Sequence, residues 1–121
     1  MRLLILAGLS ALAAASGAAA QPQSSTDPCF LSRYVRGHTT DGKDSVYLNV
    51  DGTAVFRVST DATCLSHATA SDPILIADRG SGKVCTRQDI ELQVRGLRCI
   101  VKSVTKLTPA EVSALPKALQ P

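Results

Sequence analysis

Aromatic residues are scarce in this sequence, whose 121 residues include two Phe, two Tyr and no Trp. A core must therefore be built mainly from small aliphatic side chains, so cross-links gain importance in so small a domain. Methionine occurs once, at Met1, which excludes a methionine-based copper site. An excess of charge of one sign is also lacking. The formal net charge of +3 argues against a dedicated nucleic-acid binder, although residues 79–106 are enriched in Lys and Arg.

The chain begins with the pattern of an export signal. A positively charged start is followed by an apolar run to Ala14 and by small residues that end at Ala20. This order predicts a secretory signal peptide cleaved between Ala20 and Gln21. Residues 11–20 are too weakly apolar for a membrane anchor, which needs about twenty strongly apolar residues. We expect a periplasmic or secreted protein in three parts: a signal peptide (1–20), a flexible segment (21–28) and a single disulfide-stapled domain (29–121).

Cysteine is not lacking, and all four cysteines lie in the part predicted to be exported: Cys29, Cys64, Cys85 and Cys99. An even number in a small exported chain predicts two disulfides. A zinc or redox site is not indicated, because no C-x-x-C motif is present. Four cysteines allow three pairings, and the sequence does not choose between them. If closure of the sheet joins the first and last strands, Cys29 pairs with Cys99 and Cys64 with Cys85.

Short apolar segments predict a mainly β domain. Over residues 90–94 apolar and polar side chains alternate, as in a half-buried strand, whereas Pro73–Ala77 is a continuous apolar run typical of a buried strand. Further strands are predicted over 30–36 and 99–106. We expect five to six short antiparallel strands in a small barrel or sandwich, followed by a short C-terminal helix.

Asp51-Gly52 separates two alternating runs and predicts a β-hairpin over residues 45–58. A two-residue loop would mix apolar and polar side chains on both faces, so burial favours a three-residue loop over 50–52. This register predicts that Phe56 is buried, whereas Tyr47 and Val55 point outward. The inward face then consists of Val46, Leu48, Ala54, Phe56 and Val58.

The C-terminal segment carries the signals of a helix start. The hydroxyl of Thr108 can accept a hydrogen bond from the amide of Glu111, and the proline between them needs no partner for a missing N–H. Pro116 ends the helix after about two turns. Because so short a helix is unstable alone, we expect Val112 and Leu115 to pack on the strands.

The four cysteines lie in recognisable local segments: Cys29-Phe30, Cys64, residues 84–89 (Val-Cys-Thr-Arg-Gln-Asp), 98–102 (Arg-Cys-Ile-Val-Lys) and, after them, 107–112 (Leu-Thr-Pro-Ala-Glu-Val). These segments resemble an uncharacterised proteobacterial family, a domain of unknown function whose members are small exported four-cysteine proteins. Leu65 stands where those proteins often have proline after the second cysteine. The resemblance implies a periplasmic or secreted setting and implies no activity or catalytic residue.

No set of residues predicts catalysis. Ser66-His67 lacks the surrounding G-x-S-x-G of a nucleophile elbow, and residues 80–83 lack the first glycine and the Ser/Thr of a phosphate loop. An even set of oxidised cysteines leaves no thiolate for nucleophilic catalysis. We therefore lean against an enzyme and assign no catalytic residue, cofactor or metal ligand.

The function expected from these observations is a non-enzymatic periplasmic binding or interaction module. Its partner is an envelope protein or a small ligand, not a nucleic acid, and no membrane anchor remains after cleavage. One alternative is a small metal- or ligand-binding accessory, or an enzyme, that uses the loop with His38, Asp41 and Asp44. Another alternative is an inhibitor of an envelope enzyme that presents the loop over residues 59–72.

Overall fold

The structure is a computed structural model that describes residues 27–69 and 71–121. The predicted signal peptide, its cleavage site at Ala20 and Gln21, and most of the predicted segment 21–28 lie outside the described residues. The described part is mainly β, with antiparallel sheets, one short helix and two disulfides. The strands are β1 (Phe30–Leu31), β2 (Val35–Thr40), β3 (Ser45–Val50), β4 (Ala54–Thr60), β5 (Ile74–Asp78), β6 (Lys83–Val84), β7 (Ile90–Val94), β8 (Leu97–Cys99) and β9 (Val101–Lys106).

The strands form three antiparallel sheets in the described residues: β2-β3-β4-β9, β5-β7-β8 and the pair β1-β6. Their number exceeds the expected five to six because two predicted strands are interrupted and because β6 was not predicted. A 3-10 turn at Ser32–Tyr34 separates β1 from β2, and β2 continues to Thr40, where a loop was expected. Ile100 separates β8 from β9, so that one extended stretch pairs first with β7 and then with β4. This stretch links the two larger sheets.

A single core cluster lies at the centre of the domain. The Phe30 and Phe56 rings lie in contact, with their centroids 4.7 Å apart. The two phenylalanines of the sequence therefore contact each other in the core. Aliphatic side chains from both larger sheets supply most of the remaining core, as the shortage of aromatic residues predicts. Its fully buried members include Val46, Leu48, Phe56, Val58, Leu65, Val84, Ile90 and Leu92.

The β3–β4 hairpin has the predicted inward face but a different loop. Leu48 pairs with Phe56, and the loop consists of residues 51–53 instead of 50–52. Both registers place the same residues inward because they differ by two positions along the strand. The observed loop puts Asp51 at φ 56° and Gly52 at φ 72°, the conformation for which Asp-Gly hairpin turns are favoured.

Tyr47 is buried, and its predicted outward exposure is wrong. The C-terminal segment covers this side of the sheet. The Thr39 hydroxyl donates to the Leu119 carbonyl, and Asn49 Nδ2 donates to the Pro121 carbonyl at 3.1 Å. Thr39 is the direct cross-strand neighbour of Tyr47, so the chain terminus shields the tyrosine from solvent.

The predicted buried strand over 73–77 is an edge strand instead. β5 pairs only with β7 within its sheet, and Leu75 is 56% exposed. A continuous apolar run is therefore not sufficient to place a strand in the core, because burial also requires neighbours on both faces.

The predicted helix is confirmed as α1 (Pro109–Ala114). The Glu111 amide donates to Thr108 Oγ1 at 3.2 Å, which is the predicted cap. Val112 and Leu115 are half-buried, whereas the residues of the helix other than Val112 are exposed.

Candidate functional site

The two disulfides join Cys29 to Cys85 and Cys64 to Cys99. The predicted pairs, Cys29–Cys99 and Cys64–Cys85, are therefore wrong. The first strand does not meet the last: β1 pairs with β6, and the Phe30–Val84 pair sets Cys29 beside Cys85. Cys99 is the last residue of β8 and forms a disulfide with Cys64, which lies in the loop after β4.

The loop proposed as a metal or ligand site uses its carboxylates to shape its own backbone. His38 lies in β2 and not in the loop. Asp41 Oδ1 accepts hydrogen bonds from the amides of residues 43–45 at 2.8–3.1 Å. Asp44 Oδ1 accepts from the Ser45 hydroxyl at 2.9 Å. Within residues 27–69 and 71–121, no three His, Cys, Asp or Glu side chains are grouped closely enough to hold a metal ion.

A carboxylate also organises the segment at residues 80–83. Asp78 Oδ1 accepts from the amides of Gly80 and Gly82, both at 2.9 Å, and Asp78 Oδ2 accepts from the Ser32 hydroxyl at 2.7 Å. The Ser32 hydroxyl and these amides lower the pKa of Asp78 to about 2. The amides that a phosphate loop would offer to an anion are thus occupied by the protein's own aspartate.

A cleft of about 450 Å³ lies between the loop that follows β4 and the β7–β8 hairpin. We call it the arginine cleft. The hairpin contributes both arginines together with Leu97, and the loop contributes Cys64 of the Cys64–Cys99 disulfide together with Ala68. Its lining residues are Asp61, Thr63, Cys64, His67, Ala68, Val94, Arg95, Leu97 and Arg98.

The β7–β8 turn positions Arg95. Val94 pairs with Leu97, so that Arg95 and Gly96 form a two-residue loop with φ 53° and 78°. A positive φ is uncommon for a bulky residue, and such turns normally use Asn or Gly at this position. Asp72 Oδ1 lies 3.2 Å from Arg95 Nε and forms an ion pair with it.

Asp72 is itself well fixed, because its side chain is only 13% exposed and accepts from the Thr69 amide at 2.7 Å. The Thr69 amide, and after it the positive charge of Arg95, lower the pKa of Asp72. The carboxylate therefore stays ionised over the physiological range.

Arg98 is held in the same way on the neighbouring strand. Its Nε lies 3.1 Å from Glu91 Oε1, which also accepts from Gln93 Nε2 at 2.7 Å. The side chains of Arg95 and Arg98 remain 59% and 76% exposed. Each arginine is thus paired through Nε while more than half of its side chain is exposed.

The loop side of the cleft, residues 61–68, is held by a disulfide and by hydrogen bonds. Leu65 is fully buried, and the neighbouring Cys64–Cys99 disulfide ties the loop to β8. The Asp61 amide donates to the Ile100 carbonyl at 3.1 Å, and the Ser66 hydroxyl donates to the Thr63 carbonyl at 2.9 Å. His67, which follows directly, is exposed at the cleft.

A second, apolar cleft of about 350 Å³ lies beside β1 and the tip of the β3–β4 hairpin. Phe30 and Phe56 line it, and Asp27, Lys83 and Lys106 also contribute. Lys83 Nζ lies 4.0 Å from Asp27 Oδ2, at the limit of an ion pair. With Asp51, four charged residues line this cleft, whereas Asp61, Arg95 and Arg98 line the arginine cleft.

Sequence reasoning missed the arginine cleft, although it noted the enrichment of basic residues over 79–106. The local signal was Arg95-Gly96 between two strands, a pair that predicts a tight turn with an arginine in a costly conformation. His67 was considered as half of a Ser-His pair, whereas the structure places it in the cleft with the two arginines.

No family model, curated protein or solved structure matches this chain. The resemblance to the proteobacterial four-cysteine family stays a prediction that rests on the sequence segments. Within the described residues, no helix has both the length and the apolar character that a membrane span requires.

Proposed function

We propose that this protein is a non-enzymatic binding module that works in the periplasm or after secretion. The observation that carries the proposal is the arginine cleft, a concave site of about 450 Å³ with a few charged groups among apolar ones. Small-molecule sites typically have this size and this mixture. Its walls are held by a disulfide, a tight turn and two ion pairs, which lowers the ordering cost of binding.

The cellular location is part of the proposal. The N-terminal pattern favours export with cleavage after Ala20. The two disulfides support it, because disulfides persist mainly in oxidising compartments. The proposal also takes the two larger sheets as the layers of a sandwich, and the chain as a member of the proteobacterial four-cysteine family. Mass spectrometry of the protein from a periplasmic extract tests export: we expect Gln21 as the first residue, and an intact N-terminus in the cytoplasm would contradict it.

Binding is tested by NMR on the oxidised, ¹⁵N-labelled protein purified from the periplasm. A library of small fragments of mixed charge and polarity is added, and amide shifts are mapped on the structure. We expect the shifts to cluster at residues 61–68 and 94–98. Shifts confined to the apolar cleft would move the site, and the absence of any saturable shift would refute the binding function.

The inhibitor of an envelope enzyme is the second candidate. It is favoured by the loop between β4 and β5, in which several residues are exposed while Cys64 and Leu65 hold its base. Inhibition of periplasmic hydrolases by the protein, lost on substitution of exposed Thr63 and Ser66 by glycine, would support this function. Equal inhibition by the substituted protein would contradict the role of the loop.

A further inference from the structure

We infer that the arginine cleft binds a small organic carboxylate with an apolar body. This inference rests on the proposed function and names the ligand class for the same site. Two arginines, an exposed leucine and one cysteine of a disulfide line the cleft. A ligand that has both a negative charge and an apolar body can contact both the arginines and the apolar residues.

The two arginines of the cleft favour a carboxylate ligand. The guanidinium is a planar fork that pairs with carboxylate or phosphate through two parallel hydrogen bonds. Asp72 and Glu91 each pair with an arginine at Nε, and both arginine side chains remain more than half exposed. Because these two carboxylates already balance part of the arginine charge, and because Asp61 also lines the cleft, a single negative charge is favoured over a phosphate dianion.

The apolar residues of the cleft favour a ligand larger than an inorganic anion. Leu97 is 72% exposed, although it directly follows the turn beside the buried Val94. Ala68 and the Cys64 sulfur extend this surface. A volume of about 450 Å³ exceeds what acetate or chloride fills and is large enough for a phenyl ring on a short carboxylate chain.

The conformation of Arg95 is an independent observation in favour of a binding role. Asn or Gly would adopt φ 53° at lower cost in this turn, yet the chain has arginine there. Costly backbone conformations are concentrated at functional sites, where the side chain has to stand at a given place. The ion pair with Asp72 fixes the Arg95 side chain, and Arg95 lines the cleft.

The experiment measures affinities by isothermal titration calorimetry on the oxidised, periplasmic protein with three probes. The probes are 3-phenylpropionate, its neutral isostere 3-phenylpropanamide, and acetate. We expect 3-phenylpropionate to bind at least tenfold more tightly than either of the others, and its affinity to fall as NaCl is raised. Equal affinity for the amide would overturn the carboxylate class while leaving a binding module, whereas a failure of the whole fragment library would refute the proposed function itself.

Two variants assign the interaction to the cleft. Arg95→Asn removes the charge with a residue that the turn accepts, so the fold is retained, and we expect at least a tenfold loss of 3-phenylpropionate affinity. Leu97→Ser should reduce the preference for 3-phenylpropionate over acetate. The matched control is Arg36→Gln, which removes an exposed arginine on β2 that pairs with Asp51. The affinity of this variant for 3-phenylpropionate should not change. Unchanged binding by Arg95→Asn, with an unchanged urea midpoint, would overturn the inference.

Discussion

Replacement of Phe56 by alanine tests how the core is built. Phe56 is 1% exposed, pairs with Leu48 across the hairpin and contacts the Phe30 ring at 4.7 Å. Truncation of a buried phenylalanine typically costs 3–5 kcal/mol, which includes the transferred surface and the cavity that remains. Since the chain has few other aromatic side chains to refill the space, we expect about 4 kcal/mol. A domain of this size has a total stability of roughly 5–14 kcal/mol, so the loss is a large fraction of it.

The assay is urea denaturation with both disulfides intact, followed by circular dichroism. With an m-value of about 1.5 kcal/mol/M, a loss of about 4 kcal/mol lowers the midpoint by roughly 2–3 M. The matched control is Val55→Thr, a neighbour on the opposite face that is half-buried and keeps its backbone bond to the Leu107 amide. We expect Val55→Thr to cost less than about 1 kcal/mol. If Val55→Thr proves the costlier change, the inward face of the hairpin is reversed and the reasoning fails.

Three further measurements test the staples, the helix cap and the acid response. Non-reducing peptide mapping should recover Cys29 linked to Cys85, and a peptide joining Cys29 to either other cysteine would contradict the observed pairing. Thr108→Ala should lower stability by about 1 kcal/mol, because the Glu111 amide loses its acceptor; an unchanged urea midpoint would show that the cap contributes nothing. Asp78 has a pKa of about 2, below its ordinary 3.8, so its stabilising effect is present above pH 4 and lost as the pH falls to 2. Asp78→Asn should make the urea midpoint of unfolding less dependent on pH over that range. An unaltered pH dependence would assign the acid response to other groups.

Sequence reasoning identified features that depend on neighbouring residues along the chain. The alternation over 90–94 is strand β7, and the Thr108 signal caps α1, because the period of a strand and the geometry of a cap are local properties. The inward face of the hairpin follows from the same alternation. The hairpin loop was misplaced by one residue because two registers of equal parity satisfy the same burial pattern.

The candidate site depends on contacts that local patterns do not encode. The arginine cleft joins the loop at residues 61–68 to the hairpin at 94–98. The pairing of β7 with β8, the Cys64–Cys99 bond and the Asp61–Ile100 hydrogen bond bring these two segments together. Tyr47 is another example, since an alternating strand predicts its exposure, whereas the distant chain terminus covers it.

The amino-acid sequence by itself determined that this protein is a mainly β domain with two disulfides and that its hairpin turns one set of side chains inward. Those properties follow from composition, alternation and an even number of cysteines. Only the tertiary structure decided which cysteines pair and that Arg95 and Arg98 share a cleft with His67. The physical reason is that long-range strand pairing is selected by the total burial of the whole chain: β1 joins β6 and not β9, across a separation of 56 residues between the linked cysteines.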